Sequence, residues 1–101
     1  MVWVSVGYRV RAGQEAAFQR AMQGMRESRL RNGASRWQLR QMPVAGGASV
    51  WEEVFLLPSA AEWQRFPERM TQADRIAFEG VLAVLAPASG AAAGEPEAGT
   101  P

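Results

Sequence analysis

Val50-Trp-Glu-Glu-Val-Phe-Leu-Leu57, VWEEVFLL, decides how the rest of the chain is read. Side chains alternate across a pleated strand, so Trp51, Glu53, Phe55 and Leu57 share one face and Val50, Glu52, Val54 and Leu56 the other. Both faces are largely apolar, which predicts a central strand covered on both sides. The same stretch sets one carboxylate, Glu53, mid-strand among apolar neighbours. There it needs either a structural arginine partner or a role as a general base.

Working outward, Met1 to Val10 alternates with Val2, Val4, Val6, Tyr8 and Val10 on one face, and reads as a strand. Phe18, Ala21, Met22 and Met25 recur at three- and four-residue spacing and predict a helix from Gln14 to Arg31. Asn32-Gly33 supplies the positive-φ turn that a helix C-terminus commonly needs. Ser35 to Met42 alternates again, with Trp37 and Leu39 opposed to Arg36, Gln38 and Arg40, and 43–48 form a turn into VWEEVFLL. Beyond it, Ser59 and Glu62 have capping-box spacing and open a short helix to Phe66, which Pro67 interrupts. Thr71 and Asp74 repeat the box before a last helical stretch in which Ile76, Phe78, Val81, Leu82 and Leu85 supply the buried surface. The order β-α-β-β-α is most of a ferredoxin-like α+β unit. No strand chemistry follows Leu85, so the fourth strand is missing and one sheet edge is left open to a partner chain.

Composition bounds the function. The 101 residues, 48% hydrophobic, suffice for one domain, which we place at 1–85; residues 86–101 are Ala/Gly/Pro-rich and read as a disordered tail. A core this small favours association with a second copy. The chain has no Cys, His or Lys, which removes thiol nucleophiles, Cys/His metal sites, imidazole bases and Schiff-base lysines. Neither a metal nor a cofactor is expected. A net charge of +1 is too mild for a nucleic-acid binder, and the arginines of RESRLRNGASRW (26–37) read as a helix end handing over to a strand. Without a signal peptide or an apolar run long enough to span a bilayer, the expected location is cytoplasmic.

Three pieces, RLRNGASRW (29–37), EVFLLPSAAEW (53–63) and ERMTQADR (68–75), together resemble one family. They are similar to the soluble C-terminal domain of the bacterial transmembrane secretion effector branch of major facilitator transporters. That domain is in turn similar to the dimeric α/β-barrel domains of antibiotic biosynthesis monooxygenases. The matching residues are Arg29, Arg31, Gly33, Ala34, Trp37, Glu53, Phe55, Ser59, Glu68, Arg69, Thr71, Ala73, Asp74 and Arg75. Asn32 replaces the usual acid, Ala60 stands where a tryptophan is common, and Trp63 and Pro67 stand where the family tends to have histidines. The resemblance implies a homodimer whose sheets face one another in an α/β barrel. It further implies a non-catalytic module that binds a small hydrophobic ligand or docks to a transporter-type membrane partner. The alternatives are a cofactor-independent monooxygenase acting on an aromatic substrate and a purely structural dimerisation domain.

Candidate site residues follow from both readings. Glu53 and Tyr8 are the side chains available for proton transfer. Arg29, Arg36 and Arg69 either converge on a ligand carboxylate or phosphate or pair with acids of the chain, and Trp37 and Trp63 with Glu53 would line the same space. Asn32, Gly33, Thr71 and Asp74 are read as structural, closing one helix and opening another.

Overall fold

The computed structural model describes residues 1–43 and 47–87. Three strands, β1 (Val2–Val10), β2 (Ser35–Met42) and β3 (Ser49–Leu57), form one antiparallel sheet in the order β1-β3-β2. Helix α1 (Glu15–Arg31) joins β1 to β2. After β3 come α2 (Ala60–Arg65), a 3-10 turn (Phe66–Arg69) and α3 (Gln72–Leu82). The chain is therefore a small α+β unit. Of the turn expected at 43–48, residues 44–46 lie outside the described residues.

VWEEVFLL takes the central position, with Val6 and Leu39 as the cross-strand neighbours of Glu53. Trp51, Glu53, Phe55 and Leu57 are buried beneath the helices, together with Val4, Tyr8 and Val10 of β1. Phe18, Met22 and Met25 of α1 close this core from above, and Phe18 tilts against both Tyr8 and Trp51 at 5.4 Å. Each such side chain contributes about 1.5–3 kcal/mol on burial.

The expectation that β3 is covered twice is corrected. Val50, Val54 and Leu56 stay partly exposed, and Trp3 beside them on β1 is 56% exposed. All three helices lie on one side, so nothing among the described residues packs on this second face.

Helix α3 brings a second correction: Ile76, Phe78 and Leu82 are exposed, while Ala77 and Val81 face the core. The reason lies in α1. A Cβ placed on Gly24 would meet the Ala77 Cβ at 3.3 Å, and one on Gly80 would lie 3.9 Å from that of Ala21. The helices meet through small residues, and the larger apolar side chains of α3 are turned outward.

Of the missing fourth strand, one antiparallel bridge is formed among the described residues, Val10 with Leu85. The Ala86 N–H donates to the Arg9 carbonyl at 2.8 Å and the Arg11 N–H to the Val84 carbonyl at 3.1 Å. The expected tail begins at this point, and its residues 88–101 lie outside the described residues.

Candidate functional site

Glu53 is fully buried, and its carboxylate accepts four hydrogen bonds from three elements. Arg29 of α1 donates Nε to Oε2 at 2.8 Å and Nη2 to Oε1 at 3.0 Å. Tyr8 of β1 donates its hydroxyl to Oε1 at 2.7 Å, and Trp37 of β2 donates Nε1 to Oε2 at 2.8 Å. Each oxygen thus accepts two donors, which satisfies the carboxylate in a place where an unmet charge would be costly.

β2 carries a bulge just before Trp37. Between the pairs Ser35–Leu56 and Gln38–Val54, β2 has one more residue than β3. Arg36 takes up the irregularity at φ 54°, a left-handed conformation unfavourable for a residue with a Cβ, and its side chain points outward. Trp37 lies on the helix side with Leu39, as strand alternation places it.

The environment fixes the protonation of the donors. Burial, and then the adjacent Glu53 carboxylate, push the Tyr8 hydroxyl far above its ordinary range. Burial works against the charge of Arg29, but the hydrogen bonds and charge of Glu53 outweigh it and raise its pKa. Tyr8 therefore stays a donor and Arg29 stays a cation.

The other side of the Arg29 guanidinium is boxed by aromatic rings. Its Cζ lies 4.9 Å from the centre of Phe55, 5.3 Å from Phe66 and 5.4 Å from Trp63. Beneath these rings is a cavity of about 10 Å³, room for one water at most. Outside Trp63 a groove of about 530 Å³ runs along the outer edge of β1, lined by Val2, Trp3, Val4, Ser5 and Ala60.

A second buried carboxylate ties α3 to the end of α1. Asp74 accepts from the Thr71 N–H at 3.0 Å, and its own N–H donates to the Thr71 hydroxyl at 3.1 Å, completing the capping box. Arg31 donates Nη2 to Oδ1 at 2.7 Å and Asn32 donates Nδ2 to Oδ2 at 3.3 Å. Burial alone would raise the Asp74 pKa; the hydrogen bond from Thr71, with those from Ser28, Arg31 and Asn32, holds it well below the usual carboxylate range. At the same corner Gly33 has φ 98°, the Gly33 N–H donates to the Leu30 carbonyl at 3.3 Å and the Ala34 N–H to the Arg29 carbonyl at 2.9 Å. This is a Schellman closure of α1.

The structure gathers Glu53, Tyr8, Arg29 and Trp37 into one cluster, with Trp63 over it. Arg36 and Arg69 stand apart from that cluster: Arg36 on the bulge, and Arg69 paired at 2.9 Å with Glu62, which also meets Arg65 at 3.3 Å. Sequence reading did not single out Phe55 and Phe66 as walls of the arginine box or Arg31 as the partner of Asp74. The open face carries a further polar cluster, in which Ser5 donates to Glu52 at 2.5 Å and Arg40 donates to it at 2.6 Å. These bonds hold the Glu52 carboxyl below its ordinary range.

No helix among the described residues is long and apolar enough to cross a membrane. Nor do three His, Cys, Asp or Glu side chains cluster there as metal ligands would. No curated protein and no solved structure matches the chain. The family model of the transmembrane secretion effectors matches residues 1–92, and the chain belongs to that family.

Proposed function

We propose that this chain is a non-catalytic interaction module of the secretion effector family, a ferredoxin-like unit that pairs with a second copy sheet to sheet. The observation that carries this reading is the uncovered face of the sheet. Trp3, Val50, Val54 and Leu56 line it beside Met42, which is 36% exposed, and no helix among the described residues reaches them. An apolar sheet face of this kind marks an interaction surface. Two such faces opposed make the α/β barrel that the family resemblance implies. The paired module then serves a transporter-type membrane partner from the cytoplasmic side.

Catalysis finds less support. A monooxygenase would need Glu53 or Tyr8 to move a substrate proton. Both oxygens of Glu53 are fully used by four donors, and the Tyr8 hydroxyl is committed to Glu53.

Native mass spectrometry of the purified protein tests the reading. The expected species is a dimer; a strictly monomeric species across the concentration range contradicts it.

A further inference from the structure

The Arg29–Glu53 pair leaves part of its chemistry unused. Glu53 occupies the Nε–Nη2 edge of the guanidinium, while Nη1 makes no hydrogen bond among the described residues. Arg29 is only 5% exposed and lines the small cavity under Trp63. A guanidinium has five donors, and its second edge can take another planar oxyanion.

The roof over this edge is lightly built. Neither α2 nor the 3-10 turn contributes a buried residue. Trp63 holds the roof down by packing edge-on to Phe55 at 5.8 Å and stacking on Phe66 at 6.0 Å. It is also the residue shared by the closed cavity and the open groove along β1. Segments with few buried contacts open at low free-energy cost. Rotation of Trp63 would join the two spaces, and the groove has the size of an ordinary small-molecule site.

The geometry points to a ligand site gated by Trp63, in which Arg29 takes the acidic oxygen of a planar aromatic anion whose rings lie in the groove. Trp3 and Trp63, which line the groove, suit a flat ring system. The anion is favoured by the unoccupied Nη1 of Arg29 itself; on the roof, Arg65 and Arg69 both pair with Glu62. The groove shares Trp3 and Ser5 with the open sheet face, so binding is measured where native mass spectrometry shows a single oligomeric state.

Titration calorimetry with 2-naphthoate and its neutral counterpart 2-naphthamide tests the site, with tryptophan emission followed in parallel. The wild type is expected to bind the anion at one site per chain and about tenfold more tightly than the amide. Trp63→Ala should bind the anion with faster association, because the gate is gone. The double variant Arg29→Gln/Glu53→Gln removes both charges without stranding either, and should lose the preference for the anion. Equal affinity of the wild type for both probes, or saturable binding of neither to wild type and Trp63→Ala, overturns the proposal. So does a folded double variant that keeps the preference.

Discussion

Glu53 organises the interior because its charge is matched on every side, and that makes each partner costly to remove. Glu53→Gln leaves the Arg29 charge unpaired in the core and is expected to cost about 3–5 kcal/mol in chemical denaturation. Replacing both by apolar residues, Arg29→Met with Glu53→Leu, should cost less than either single change, since no charge is stranded. Asp74 gives a pH signature. Its folded pKa is depressed, so its stabilisation is present above the ordinary value of 3.8 and is lost as pH falls below it. Denaturation curves at falling pH should show the wild type weakening in that acid range, and Asp74→Asn, less stable at neutral pH, weakening less. At this scale the sequence was partly readable. A mid-strand carboxylate demanded a partner, and Thr71 three residues before Asp74 announced a cap. The identity of the partners was not readable: Arg29, Tyr8 and Trp37 reach Glu53 from three elements, and Arg31 reaches Asp74 across 43 positions. Nothing local marks the bulge at Arg36.

The elements were largely legible, because alternation and three-to-four periodicity directly reflect strand and helix geometry. α1 begins at Glu15 where Gln14 was expected, and β3 at Ser49 where Val50 was. The failure lies in α3, where apolar periodicity pointed to Ile76, Phe78 and Leu82 as buried. Small residues decide that interface, and hydrophobic pattern is blind to them. Close approach at Gly24 is thus a structural requirement of the α1–α3 contact. Gly24→Val, which forces a branched side chain against Ala77, is expected to destabilise the fold by about 1–3 kcal/mol despite its placement in a helix. Thermal unfolding followed by circular dichroism reads this directly.

At the scale of the molecule, one sheet carries two unlike faces. One is sealed by helices around a satisfied ion pair, and the other presents Trp3, Val54 and Leu56 around the Ser5–Glu52–Arg40 cluster. The apolar two-sidedness of VWEEVFLL was legible in the sequence; what covers the second side was not, because no layer among the described residues covers it and the proposed cover is a second copy. Val54→Glu separates the possibilities, since a glutamate on a partly exposed strand position is tolerated in a monomer but strands a buried charge between two sheets. Sedimentation equilibrium of the wild type and Val54→Glu, both checked for native circular dichroism, is the most direct measurement. The account predicts a dimeric wild type and a folded, monomeric variant. A monomeric wild type, or a variant that remains dimeric, would contradict it.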